Sequence, residues 1–200
     1  MKGSVLIVIF FLIGVFLGYV HVVPATFEVD DYTFYALCVL LFVVGYSIGS
    51  DVGIITKFKQ LNPGYALLPL MTFLGTIGGS LVVSLILPQR SAPDCMAVGS
   101  GFAYYSLSSI FITQYKGVEL GTIALISNIL RELLTLLLAP LLVRFFDKLA
   151  PIAAGGATTA DTTLPIISKT CGRELIPLSI YHGFLIDFSV PFVVTFFCSL

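Results

Sequence analysis

The chain has 200 residues, 58% hydrophobic and 10% charged, with a formal net charge of -1 and a mean hydropathy of +1.05. Soluble domains carry about 25% charged residues, so a water-soluble fold is excluded and an all-α integral membrane protein is implied. The near-neutral charge argues against nucleic-acid partners and a polybasic membrane-surface role. Rossmann, P-loop, zinc-spacing and Gly-x-Ser-x-Gly patterns are all missing from the sequence, which removes support for ATP-driven transport and for the common hydrolases.

A bilayer core of about 30 Å needs about 20 mostly apolar residues per crossing. Seven stretches reach or approach that length: 4–23, 32–50, 65–87, 94–115, 118–144, 151–169 and 175–199. The first follows Lys2 as a signal peptide would. It is nevertheless as long as a span, lacks a small-x-small cleavage pattern and is followed by further spans, so it reads as a retained helix. Asp51 closes the second stretch as a solvated or capping residue. The fourth and sixth are polar enough to be discontinuous, and the seventh can kink at Pro177 and Pro191. Connections are short, so residues 1–200 form a single transmembrane domain. Lys2, Lys57, Lys59, Lys116, Lys169 and Arg173 fall on one face, against Arg90, Arg144 and Lys148 on the other. The positive-inside rule then places the amino terminus in the cytoplasm and the carboxyl terminus outside. Gly14/Gly18, Gly45/Gly49, Gly75/Gly79 and Gly117/Gly121 are spaced for close helix packing. Cys38, Cys95, Cys171 and Cys198 lie far apart in sequence and read as free thiols.

Ionisable groups at membrane depth are costly and by default mark a substrate or ion pathway. In the sixth stretch Thr158, Thr159, Thr162 and Thr163 bracket Asp161, after Gly155-Gly156 and before Pro165. Glycine permits unwinding and proline removes a donor, so this is a broken helix. Its freed carbonyls suit a cation and its half-helix amino terminus an anion. In the fifth stretch Asn128, Arg131, Glu132 and Thr135 share one helical face. Arg131 either forms a structural ion pair with Asp161 or Asp187, or grips a substrate carboxylate as a fork. In the fourth, Ser106, Ser109 and Thr113 share a face with Tyr105 one turn before Ser109. That face is either a hydrogen-bonding cavity wall or helix-to-helix glue. His182 is either a proton relay, with Asp187 five residues on, or a hydrogen-bonded packing residue.

At these residues the chain resembles the LysO-type lysine exporter family. The likeness rests on Ser100-Gly101-Phe102-Ala103-Tyr104-Tyr105-Ser106-Leu107-Ser108, on Asn128 with Arg131-Glu132-Leu133, and on Gly156-Ala157-Thr158-Thr159-Ala160-Asp161-Thr162-Thr163-Leu164-Pro165. It extends through His182-Gly183-Phe184 and Pro191, whereas residues 1–93 agree mainly in hydropathy and in Val44-Gly45. The resemblance implies an inner-membrane secondary transporter that expels L-lysine and lysine analogues. It also implies the architecture of bile-acid symporters and cation/proton antiporters, with inverted repeats and two crossing broken helices. Full-length relatives of this type carry about three more amino-terminal helices, in some bacteria on a separate short polypeptide, giving two repeats of about five. Residues 151–169 would then be the broken helix of the second repeat, with residues 4–23 its counterpart in the first. Asp187 stands where the resemblance implies an uncharged residue.

The expectation is therefore a secondary exporter of L-lysine, coupled to H+ or Na+ and using no cofactor, metal or enzymatic chemistry. Asp161 is the principal carboxylate, Glu132 shares the cationic load, and Arg131 meets the α-carboxylate. Asn128, Thr159, Thr162, Tyr105, Ser106 and Ser109 line the site, and His182 and Asp187 are candidate relay groups. Partners are the bilayer, L-lysine, the short polypeptide and, if the chain assembles with itself, a homo-oligomer. Two rival readings are a monovalent cation/proton antiporter and a non-transporting subunit of a membrane assembly.

Overall fold

The chain divides into two units, Met1–Ile54 and Ile55–Leu200. The computed structural model describes residues 63–200 of the second unit, and of the first only Ile9, Ile13, Gly14, residues 16–20 and Tyr46. The expected spans at 4–23 and 32–50 therefore lie wholly or mostly outside the described residues, as do Cys38, Gly45, Gly49 and Asp51.

In the second unit every described element is helical. After a 3-10 turn at Pro63–Leu67, α1 runs Leu68–Ile86, with Pro69 in its first turn, where no amide hydrogen is needed. It ends one residue before Leu87-Pro88, a dipeptide that disfavours helix. The next helix, α2 (Ala92–Gly99), starts at Ser91, whose hydroxyl accepts from the Asp94 amide at 3.2 Å. Residues 100–104 interrupt the chain before α3 (Tyr105–Lys116), with Phe102 and Ala103 at φ of 45° and 71°. α4 (Val118–Phe145) is unbroken for 28 residues, about 42 Å at 1.5 Å per residue.

The stretch near 151–169 is divided into α5 (Ala150–Gly155), a 3-10 turn (Gly156–Ala160) and α6 (Leu164–Thr170). A further 3-10 turn, Arg173–Leu175, leads into α7 (Ile176–Cys198). Among the described residues, three helical stretches are long and apolar enough to cross a membrane: Pro63–Ile86, Val118–Phe145 and Arg173–Cys198.

The apolar distribution suits lipid. On α4, Leu130, Leu134, Leu137 and Leu141 point outward, while Ala124, Asn128, Glu132, Thr135 and Ala139 are buried on the opposite face. On α7, Phe184, Phe188 and Phe192 are exposed at helical spacing, and Ile186, Val190 and Val194 are buried. The inward faces of α2, α3, α4 and α7 close on Phe102, Ile112, Ala124, Ala157 and Val190. A second cluster packs Ile152, Ile167, Cys171, Leu175 and Leu178 beneath the broken segment. Cys171 and Cys198 are buried and Cys95 half-buried, all free.

Candidate functional site

The two interruptions touch. The Ala157 amide donates to the Phe102 carbonyl at 2.9 Å, so the break between α2 and α3 is bonded to the break after α5. Gly156 makes this approach possible, with φ of +61° and no room for a Cβ beside the Phe102 carbonyl. On the other side α7 closes in at Gly183, where a Cβ would lie 2.6 Å from the Ala160 amide nitrogen and 2.7 Å from Thr159 Oγ1. Unwound backbone here is buried in protein, the condition under which a membrane tolerates it.

Side chains satisfy the groups that unwinding frees. Asn128 Oδ1 accepts from the Ala103 amide at 2.8 Å, and its Nδ2 donates to the carbonyls of Val98 (3.1 Å) and Ala124 (2.9 Å). Its amide is thus committed to the first break. Arg131 forms no ion pair with Asp161 or Asp187, the first of its two expected roles. Its Nε and one terminal nitrogen donate to the carbonyls of Ala154 (2.9 Å) and Ala153 (3.2 Å), and the other donates to Thr76 Oγ1 at 3.3 Å. These carbonyls belong to the carboxyl end of half-helix α5, where a cation is favoured by both the helix dipole and unpaired acceptors. The guanidinium carbon also sits 5.5 Å from the Phe102 ring centroid. A guanidinium has five N–H groups, so these three bonds leave two. Arg131 borders a cavity of about 710 Å³ lined also by Thr76, Gly79, Ser80, Val98 and Ser127.

Thr159 is fully buried against α7. Its hydroxyl contacts the carbonyls of Gly156 (2.8 Å) and Ser179 (3.0 Å), while Ser179 Oγ donates back to the Thr159 carbonyl at 2.8 Å. His182, with no exposed surface, has both ring nitrogens occupied, Nε2 by Thr72 Oγ1 at 2.9 Å and Nδ1 by Thr159 Oγ1 at 3.1 Å. Ser109 and Thr113 turn towards α4, where Gly121 leaves space for Thr113 Oγ1 and the Ser109 carbonyl. The Ser109 hydroxyl donates within α3 to the Ser106 carbonyl at 3.3 Å, and both serines are half-buried.

The carboxylates gather elsewhere. Asp161, half-buried between the turn and α6, accepts from the amide and hydroxyl of Thr162. Glu132, 9% exposed, lies within electrostatic range of Thr162 and Asp161. Asp187, half-buried one turn beyond Gly183, is within range of Asp161 from α7. Tyr104 lies near Asp187 and Asp161, and Tyr105 near Glu132 and Asp161. Among the described residues, ion pairs join Arg90 to Glu119, Lys116 to Asp94 and Lys148 to Glu174, and none involves these three carboxylates. Asp161 on the broken segment thus lies within electrostatic range of Glu132 from α4, Asp187 from α7 and the phenols of Tyr104 and Tyr105.

The sequence model of the lysine exporter LysO family matches residues 8–198. The chain belongs to that family. It is 34% identical over 174 residues to the Lysine exporter LysO of Escherichia coli strain K12, an alignment covering 86% of this chain and 56% of that protein. It is 36% identical over 166 residues to a Putative lysine exporter of Haemophilus influenzae, covering 82% of this chain and 83% of that one. The chain therefore spans little more than half the length of its Escherichia coli relative. No solved structure matches it.

For this LysO-family chain, Asp161, Glu132, Thr162 and Tyr105 come together as one cluster, while Asn128, Thr159 and Ser109 stand behind it as supports. Ser106 is half-buried in the first turn of α3, beside Tyr105. Sequence reasoning missed Tyr104, Thr72, Thr76 and Ser179. Tyr104 alone carried a signal, as the residue directly before α3 in the Tyr104-Tyr105 pair.

Proposed function

We propose that this chain forms the transport core of an ion-coupled secondary exporter, carrying L-lysine and lysine analogues outward across the inner membrane. Family membership and the names of the relatives support the substrate. The observation that carries the reading is that Glu132 and Asp187 both lie within electrostatic range of Asp161 at the broken segment, with no ion pair to any of the three among the described residues. Half-buried carboxylates left unpaired are costly, and a mobile cation or proton relieves that cost. Lysine brings two ammonium groups and one carboxylate.

In this reading Asp161 holds an ammonium, Glu132 shares the charge, and Thr162, Tyr105 and Ser106 orient it. The two remaining N–H groups of Arg131 receive the α-carboxylate. Asp187, near Asp161, serves the coupling ion, H+ or Na+. The wider architecture is the inverted-repeat fold of bile-acid symporters and cation/proton antiporters, with seven membrane segments in this chain. Its amino terminus is cytoplasmic and its carboxyl terminus outside, and a short three-helix polypeptide completes the first repeat. One bundle rocks against the other around the crossing.

Export from membrane vesicles tests this. Lysine efflux that accelerates when a proton or sodium gradient is imposed is the expected result. Proton-for-sodium exchange that proceeds equally with and without lysine would select the cation/proton antiporter instead.

A further inference from the structure

We infer that His182 is a positioning residue for the cation site, a neutral ring that ties the turn bearing Asp161 to α1. The inference rests on the export reading above, and goes beyond it by giving the buried histidine a role other than carrying protons.

The hydrogen-bond geometry determines which nitrogen holds the proton. Thr159 Oγ1 lies 2.8 Å from the Gly156 carbonyl and 3.0 Å from the Ser179 carbonyl, both of which only accept. The single hydroxyl proton of Thr159 is therefore committed to a carbonyl. The contact with His182 at 3.1 Å must then be a donation from Nδ1–H to Thr159 Oγ1. Nε2 carries no proton and accepts from Thr72 Oγ1 at 2.9 Å. One ring thus joins α1, α7 and the 156–160 turn.

Neither nitrogen faces a carboxylate. Among the described residues the one charged group within electrostatic range is Arg131, itself a cation. What the ring does reach is the backbone that carries Asp161. Thr159 is held from both sides, by the ring and by the reciprocal pair with Ser179. The Asp161 amide in turn donates to the Thr158 carbonyl at 3.2 Å. A shift or rotation of Thr159 moves Asp161 with it. Gly183 brings α7 close to the turn, but closeness alone leaves the turn free to rotate, and the ring removes that freedom.

Three variants separate positioning from proton transfer and from plain packing. His182→Leu removes both bonds, His182→Asn keeps a donor near the Nδ1 position, and Thr72→Val deletes only the hydroxyl on α1. Transport is measured as lysine counterflow per folded transporter, with its pH profile. His182→Leu and Thr72→Val are expected to raise the half-saturating lysine concentration roughly tenfold, with maximal rate held within about twofold. His182→Asn returns most of the loss caused by His182→Leu, and all three keep the wild-type pH profile. A pH profile shifted in His182→Asn but not in Thr72→Val would overturn the inference in favour of a relay. Wild-type kinetics in Thr72→Val would overturn it in favour of packing, even if His182→Leu fails to fold.

Wild-type protein that moves no lysine would refute the export reading separately. The latch is then still read from Asp161→Cys in a background where the four native cysteines are serine. Adding Thr72→Val is expected to change its labelling rate by a methanethiosulfonate reagent several-fold, and an unchanged rate overturns the inference.

Discussion

Asn128 and Arg131 lie on the same helix as Glu132 and do different work from it. Asn128 makes two hydrogen bonds to the first break, from the Ala103 amide and to the Val98 carbonyl, and a local one to the Ala124 carbonyl. Asn128→Leu would leave the Ala103 amide buried without an acceptor, at a cost of about 1–3 kcal/mol. Asn128→Asp keeps the acceptor but turns an oxygen towards the Val98 and Ala124 carbonyls, so it should not rescue stability. Thermal unfolding in detergent checks both: each variant is expected to melt several degrees below wild type. The sequence marked Arg131 as needing a partner and left open an ion pair or a substrate carboxylate; the structure shows backbone carbonyls instead of the ion pair. Charge pairing is visible in a sequence because carboxylates are rare in a membrane segment. Backbone carbonyls are present at every residue and become acceptors only where a helix ends, so the pairing with Ala153 and Ala154 left no local signature.

At the scale of the elements, the contact between the two breaks is held by a backbone hydrogen bond and permitted by Gly156. Gly156→Ala places a Cβ against the Phe102 carbonyl at a positive φ, where neither backbone can yield cheaply. The expected loss is about 1–3 kcal/mol of stability, with lysine transport per folded molecule reduced as well, since the strained turn carries Asp161. A Gly156→Ala protein with wild-type melting temperature and transport would contradict the crossing. That both stretches break was legible from Gly99-Ser100-Gly101 and Gly155-Gly156 with Thr and Pro around them. That they touch was not, because the turn at Phe102 and Ala103 uses residue types that ordinarily avoid positive φ. The glycine at 183 was legible as a small residue, but its partner, the Thr159–Ala160 backbone, was not.

For the molecule as a whole, composition identified a membrane protein, and the charged residues in apolar segments pointed to the cluster at the crossing. Asp161 and Glu132 were legible because each stands almost alone in an apolar run. Their convergence depends on α4 packing against the broken segment, which periodicity on α4 suggested and the structure supplies. Asp187, expected to be uncharged in the family, faces the same cluster from α7. The family relationship supports lysine as the proposed substrate, and carboxylates with no ion-pair partner among the described residues give a physical reason for a cation site there.

Radiolabelled lysine counterflow in proteoliposomes, comparing the wild-type chain with Asp161→Asn, each with and without the proposed short helical partner, tests this most directly. The account predicts that wild-type protein accumulates label against unlabelled lysine inside and that Asp161→Asn, folded and inserted normally, falls to the level of empty liposomes. Equal accumulation by both proteins would contradict it.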